Sequence, residues 1–388
     1  MAKTKVEGGR RGRVEAAGAM SVPTSAATSL LAPGDTVWRV ERAYRAAVIV
    51  DAQDYFRHAK AAMLAAKRSI FLIGWDFDTR IELEPGETTL PGPNRIGDFL
   101  RWLAGREDGP EIFVRKWNLG FLKNMPRGTT PLFVLDWMTN SRLHFRLDSS
   151  HPPGAAHHQK IVVIDDTVAF CGGIDMTIGR WDTREHAEGD TRRRRPDGTP
   201  TAPWHDATLA VDGDAAHALG QIARERWQRA TGNTVEALAG EDVWPEDLVP
   251  SFTDVDIGLA RTWPERGDED PAFEILALTL SAIAAARNLL YIESQYLASR
   301  RIAEALAARL QEPDGPEIIL LLPHEADGWL EMKTMDAART RLLKFIRSRD
   351  PHHRFRAYYP VNRAGTPIYV HAKVLIVDDR LFRVGSSN

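Results

Sequence analysis

One cysteine, Cys171, stands in 388 residues, so no intramolecular disulfide can form and a secreted disulfide scaffold is excluded. No run of about 18 apolar residues occurs, which excludes the usual membrane-spanning helix. The richest stretch, Ile275 to Ala286, contains Thr279 and Ser281, ends at Arg287, and reads as a buried helix. A dominant charge sign is also missing. The 50 Lys and Arg against 53 Asp and Glu leave a net charge of -3, which argues against a globally basic nucleic-acid binder. The N-terminus is basic at Lys3, Lys5, Arg10, Arg11 and Arg13, but the stretch after Arg13 is rich in Ala, Ser and Gly. An export signal would need an apolar segment there. Residues 1–38 therefore read as a disordered tail. Core-forming sequence is present in quantity, 43% hydrophobic and 27% charged, which suits a globular fold and not disorder.

The feature that stands out is doubled. His158-Gln159-Lys160 followed by Ile161-Val162-Val163-Ile164-Asp165 matches His371-Ala372-Lys373 followed by Val374-Leu375-Ile376-Val377-Asp378. Both read H-x-K-x-x-x-x-D. Seventeen residues beyond each His lies the end of a Gly-containing segment, Gly172-Gly173-Ile174-Asp175 in one case and Gly385-Ser386-Ser387-Asn388 in the other. A single H-x-K before an apolar strand is common surface chemistry. Two copies at matching positions require the coincidence twice.

The surrounding sequence repeats as well. Asp51 is placed to cap a helix through Tyr55, Phe56, Ala59, Met63 and Leu64, and Ser69 to Gly74 comes next as a buried strand. Pro271 to Arg287 followed by the strand Leu289 to Glu293 is the second version. Asp108-Gly109-Pro110-Glu111 leads one strand and Asp314-Gly315-Pro316-Glu317 another. This order predicts an α/β fold with two pseudo-twofold-related repeats, each a mixed β-sheet flanked by helices, with the active site at their interface. The first repeat is expected over 39–245 and the second over 246–388. In both motifs the run after Lys is apolar at every position, as in strands covered on both faces. His and Lys are two apart and project from one face. The Asp-Asp pairs at 165–166 and 378–379 make turns, and Thr167 to Phe170 returns as a hairpin partner. Asp165 and Asp378 are expected to be structural.

Two His/Lys pairs suit an anionic phosphodiester. Lys ammoniums neutralise its non-bridging oxygens. One neutral imidazole attacks phosphorus, and the other, protonated, donates to the leaving alkoxide. Imidazole is the side chain whose ordinary pKa allows both roles near neutrality. A His-Lys site lacks the carboxylate cluster that Mg²⁺ or Ca²⁺ takes, so neither metal nor other cofactor is expected.

With these residues assembled, the chain resembles the phospholipase D superfamily, whose hallmark is the duplicated motif. Gly179-Arg180-Trp181-Asp182-Thr183-Arg184-Glu185-His186 and Pro203-Trp204-His205-Asp206 are similar to the catalytic region of eukaryotic-type phospholipases D and their bacterial relatives. Ile73-Gly74-Trp75-Asp76-Phe77-Asp78 and Ile292-Glu293-Ser294-Gln295-Tyr296 add to the likeness, which covers roughly 40–388. The resemblance implies His158 as nucleophile, forming a phosphohistidine, and His371 as acid and then base. It implies Lys160, Lys373, Asp175, Ser386 and Asn388 around the phosphate, and Asp206 as the acid that orients the first His. Asp175 departs from the commoner Asn, and a carboxylate near phosphate is repulsive, so it is expected on backbone or a histidine instead. Members of the family continue past the position matching Asn388, so the second repeat is expected to be incomplete.

The function implied is a phospholipase D. It would hydrolyse the distal phosphodiester of a glycerophospholipid to phosphatidate and head group, with transphosphatidylation when alcohol competes with water. Rivals are a cardiolipin synthase-type phosphatidyltransferase, a nuclease of the superfamily, and a non-catalytic lipid-binding module. The expected setting is a cytoplasmic monomer, peripheral to the membrane, acting on phospholipid and not on nucleic acid. The run Arg192 to Arg195 is either a solvated loop or an attraction for anionic lipid. Trp75, Trp181 and Trp204 are candidate walls of a substrate cleft.

Overall fold

The structure is a computed structural model that describes residues 30–117, 140–148, 157–238, 240–265, 270–325 and 329–387. The first lobe runs β1 (Arg39–Val50), α1 (Ala52–Ala65), β2 (Ser69–Gly74), α2 (Ile96–Ala104), β3 (Glu111–Trp117), β4 (Leu143–Asp148), β5 (Ile161–Ile164), β6 (Val168–Gly172), β7 (Trp204–His205), β8 (Ala207–Asp212) and α3 (Gly213–Thr231). The second continues with β9 (Phe252–Leu259), β10 (Thr262–Trp263), β11 (Ala272–Phe273), α4 (Glu274–Ala285), β12 (Leu289–Glu293), α5 (Arg300–Gln311), β13 (Glu317–Leu321), α6 (Trp329–Arg347), β14 (Phe355–Tyr358), β15 (Tyr369–Val370), β16 (Val374–Val377) and β17 (Leu381–Val384).

Two mixed sheets carry the architecture. The larger has eight strands in the order β4-β3-β2-β5-β6-β8-β1-β9, and the smaller has five in the order β14-β13-β12-β16-β17. Their shared part is the same. β2 pairs parallel with β3, β3 parallel with β4, and β2 antiparallel with β5, which turns back into β6. β12, β13, β14, β16 and β17 repeat that pattern strand for strand. Each motif strand is thus held inside its sheet, between two paired neighbours, with its His and Lys at the leading end.

Strand alternation places the core. Ile70 and Leu72 of β2 face the cluster of Phe56, Met63, Phe99 and Leu103 on α1 and α2. Phe71 and Ile73 face the opposite cluster with Ile222 and Trp227 on α3. Side chains alternate across a strand, so a continuous apolar run requires cover on both faces. The second sheet buries Leu290, Ile292, Ile318, Leu320 and Leu375 against Leu278, Ala282, Leu306 and Leu310 of α4 and α5. A small cluster of Ala207, Ala372 and Val374 joins the two sheets.

Three expectations need correction or limits. Most of the proposed tail, 1–29, lies outside the described residues, but Leu30, Leu31 and Val37 are buried in the second lobe's core. Nine residues of the expected tail, 30–38, are therefore packed structure. β9, which lies past the boundary expected at 245, pairs with β1 and extends the first sheet. Asp51 precedes α1 but makes no capping bond with its side chain, and its φ is 67°. That carboxylate is engaged elsewhere.

Candidate active site

The hairpin after each motif is built on a turn with Asp165, Asp166, Asp378 and Asp379 all at positive φ, between 49° and 55°. Asp tolerates that region better than most residues because its short side chain bonds locally. Asp165 accepts hydrogen bonds from the backbone N–H groups of Lys67, Arg68 and Ser69, each at 2.8 Å. Asp378 accepts from Arg287, Asn288 and Leu289 at 2.6, 2.8 and 2.8 Å. Each carboxylate ties the helix–strand junction of its own lobe to its motif strand, and neither is at the histidines.

The lobes meet through β7 and β15. These pair in parallel with Trp204 against Tyr369 and His205 against Val370. The Trp204 and Tyr369 rings stack at 4.6 Å between centroids. This ladder delivers the two motifs to one place, and the His158 and His371 rings lie 6.3 Å apart. Trp75 stands 6.1 Å from His158, and Trp204 stands 5.1 Å from His371. Trp181 instead belongs to the first lobe's core.

Each histidine is anchored at Nδ1, and His371 also bonds the Gly173 backbone. His158 Nδ1 donates to the Ser386 carbonyl at 2.6 Å. A carbonyl only accepts, so the neutral ring carries its proton on Nδ1 and its lone pair on Nε2. His371 Nδ1 meets Asp206 Oδ2, also at 2.6 Å. The expectation that Asp206 orients the first histidine is therefore corrected. It reaches across the seam to the second. The fit is close, since a Cβ on Gly173 would lie 1.9 Å from Asp206 Oδ1, and only glycine leaves that carboxylate its place.

Lys160 and Lys373 are both buried. Lys160 Nζ contacts Asp175 Oδ2 at 3.1 Å and donates to the His158 carbonyl, also at 3.1 Å. Lys373 Nζ donates to Gln295 Oε1 at 3.1 Å and to the His371 carbonyl. Asp175 also accepts from the Trp75 and Asp76 N–H groups at 3.0 and 3.3 Å. It is thus occupied with Lys160 and backbone, the alternative its charge suggested. Ser386 contributes its backbone carbonyl. Asn388 lies outside the described residues.

The electrostatics arise from crowding cations in a buried place. Burial, then Lys160, Lys373 and His371, hold His158 well below the ordinary imidazole range. Burial, then Lys373, Arg180 and Lys160, do the same to His371. Burial also lowers both lysines, against the pull of Asp175 on Lys160 and of Asp206 on Lys373. Burial raises the Asp206 carboxyl against Lys373. Charge on any single group is costly here, and an anion among the cations relieves the cost.

Several contributors carry no sequence signal that would assign them a role. Gln295 lies in the Ile292–Tyr296 stretch, where nothing local points to Lys373. Arg180, its guanidinium 4.0 Å over the Trp204 ring, adds positive potential to the pocket. The four-arginine run is uneven: Arg193 is buried and donates to Asp182 Oδ1 at 2.9 Å, so it is structural, while Arg192 is bound by the neighbouring Asp190. Beside the site, His205 Nδ1 meets Asp51 Oδ1 at 3.1 Å and its Nε2 meets Glu293 Oε2 at 2.9 Å. Burial alone would lower that imidazolium, but the two carboxylates outweigh it and push it up to about 10.

Comparison with known proteins adds a family. The family model described as Phospholipase D matches residues 144–243, the part that holds His158, Lys160, Asp175 and Asp206. Over that segment the chain is similar to the phospholipase D family. Phospholipase D1 of Saccharomyces cerevisiae is 26% identical over 88% of this chain and 25% of its own length. Phospholipase D A of Dictyostelium discoideum is 24% identical over 87% of this chain and 31% of its own length. Phospholipase D alpha 3 of Arabidopsis thaliana is 21% identical over 84% and 56% respectively. The chain therefore spans between a quarter and just over half of these phospholipases D. Among solved structures, phosphatidylserine synthase of Haemophilus influenzae superposes with a TM-score of 0.55 at 9% identity, covering 92% of this chain and 80% of that one. That likeness is one of fold. Among the described residues no helix is long and apolar enough to cross a membrane.

Proposed function

We propose that the chain carries a phospholipase D active site that cleaves a phosphodiester through a phosphohistidine. The observation that carries this reading is the pair of histidines 6.3 Å apart, His371 buried and His158 partly so, each with its own buried lysine. His158 is the nucleophile, because its Nδ1–H is fixed on a carbonyl and its Nε2 keeps the lone pair. A phosphodiester brings the negative charge that the site's cations lack. Its charge offsets the burial and the repulsion from Lys373, Arg180 and Lys160 that keep His371 neutral, so His371 takes up a proton as substrate binds. Nε2 of His158 then bonds to phosphorus, and the bond from phosphorus to the head-group oxygen breaks. His371 gives its proton to that oxygen, held in position by Asp206. In the second half, neutral His371 removes a proton from water or an alcohol. That oxygen bonds to phosphorus as the phosphorus–nitrogen bond breaks, which restores His158 and yields phosphatidate or a phosphatidyl alcohol. Lys160 and Lys373 hold the non-bridging oxygens throughout, the charge-assisted class of hydrogen bond that strengthens in a dry site.

The test is transphosphatidylation. With phosphatidylcholine vesicles and ethanol, the protein forms phosphatidylethanol, and His158→Ala lowers the rate by at least about 10³-fold, as removal of a nucleophile does. Product that persists in His158→Ala excludes His158 as nucleophile. Cleavage of plasmid without any lipid product would instead favour a nuclease.

A further inference from the structure

A second constellation lies beside the histidine pair and takes no part in that chemistry. Asp51, His186 and His205 bring one carboxylate oxygen and two ring nitrogens within 4.8 Å of one another. His205 Nδ1 stands 3.1 Å from Asp51 Oδ1, and His186 Nε2 stands 3.3 Å from Asp51 Oδ2. Asp51 is 1% exposed, and among the described residues its Oδ2 has the 3.3 Å contact with His186 Nε2 but no hydrogen bond. A buried carboxylate oxygen in that position is costly unless a cation satisfies it, either a protonated His186 or a bound metal ion.

The far side of each ring is occupied in a particular way. His186 Nδ1 meets Asp182 Oδ2 at 3.0 Å, and His205 Nε2 meets Glu293 Oε2 at 2.9 Å. A metal-ligating imidazole typically gives its other ring N–H to a carboxylate, which fixes the tautomer and turns the lone pair toward the ion. Both rings here have that carboxylate, and both turn the remaining nitrogen to Asp51. The spacings agree as well. Zinc bonds of about 2.0–2.1 Å to nitrogen and oxygen put neighbouring tetrahedral donors roughly 3.3–3.4 Å apart. The N···O separations, 3.1 Å to Oδ1 and 3.3 Å to Oδ2, are at or just inside that edge, one at each carboxylate oxygen.

We propose that Asp51, His186 and His205 bind one zinc-class divalent transition metal ion. Two imidazoles and a carboxylate suit such an ion better than Mg²⁺ or Ca²⁺, which prefer all-oxygen sets. Charge also balances. Asp182 is neutralised by Arg193, and a divalent ion offsets the single charges of Asp51 and Glu293. The ion is positional and does not touch the reacting atoms. Asp51 Oδ1 also accepts from the Asp206 N–H at 3.0 Å, and Glu293 reaches over from the second lobe. A bound ion would therefore fasten the backbone that carries Asp206 to His371. The competing occupant is a proton alone, which makes His205 an imidazolium clamp between Asp51 and Glu293.

Zinc content separates the two. Tag-free protein is incubated with excess zinc, desalted, and assayed by plasma mass spectrometry. We expect about one zinc per folded chain, the stoichiometry of a structural site. The zinc stays in a His158→Ala, His371→Ala double variant and is lost in His186→Gln. Glu293→Gln, which keeps the ring contact but removes the charge, weakens zinc by roughly 10–100-fold, the usual effect of an outer partner. Less than about one tenth of an ion per folded wild-type chain leaves only the proton and overturns the proposal. So does zinc that disappears with His158 and His371, since it would then belong to the phosphate pocket. Because wild-type stoichiometry decides by itself, a His186→Gln chain that fails to fold does not rescue the idea. A silent transphosphatidylation assay would count against the function proposed above and leave the zinc measurement standing.

Discussion

At the scale of single residues the site depends on fits that are tighter than a motif conveys. Gly173 is the sharpest. A Cβ there would stand 1.9 Å from Asp206 Oδ1, and the carboxylate has to move away from His371. Gly173→Ala should therefore slow transphosphatidylation by roughly 10²-fold or more, the range of a lost general acid. Asp206→Asn should lose a similar amount, and the double variant should be no slower than the worse single, because both act on one contact. Additive losses would show that Gly173 matters for something else. The residues of the site were legible in sequence where chemistry depends on type and spacing, as for His158, Lys160, His371 and Lys373. Partnership was less legible. Asp206 is 48 residues from His158 and 165 from His371, and separation along the chain favours the wrong histidine. The right one is set by the β7–β15 ladder between lobes, two residue pairs long, which leaves almost no periodic trace.

At the scale of elements the same turn is used twice. Each motif hairpin closes on an Asp at positive φ whose carboxylate gathers three backbone N–H groups from the junction ahead of β2 or β12. Asp378→Ala removes the acceptor and puts a Cβ residue without a local bond at φ 49°. We expect about 1–3 kcal/mol of destabilisation, read from the urea midpoint, for charge-assisted bonds that are partly open to solvent. Asp378→Asn should cost distinctly less, since its side-chain oxygen still accepts and Asn tolerates that region. Equal losses in the two would sink this account of the turn. The helices and strands around these turns were legible because apolar runs and helical faces are local signals, as in α1, β2, β5 and β16. β9 was not. It pairs with β1 across some 200 residues, with Arg39 opposite Leu259, and its sequence Phe252-Thr253-Asp254-Val255-Asp256 alternates without a long apolar run. Leu30 and Leu31 were hidden for a related reason. Two leucines in Ser- and Pro-containing sequence look like tail until a distant core is there to receive them.

At the scale of the whole molecule, the pocket exists only where two lobes meet. His158 needs the Ser386 carbonyl of the second lobe, and His371 needs Asp206 of the first. Lys160, Lys373 and Arg180 outnumber Asp175 and Asp206 there by one charge, and burial lowers both Lys160 and Lys373. A tetrahedral oxyanion such as tungstate should therefore bind at the seam and stabilise both lobes together. Ligand that binds only the folded chain adds about 2.7 kcal/mol at a hundredfold excess over Kd, so the unfolding temperature should climb steadily with tungstate concentration. Lys373→Met is the informative variant, because its partner Gln295 is neutral and no charge on that side chain is left behind. That variant should fold and lose most of the tungstate shift. A shift unchanged in Lys373→Met would place the anion elsewhere, and no shift in the wild type would mean that the paired motifs do not form a phosphate pocket in this chain.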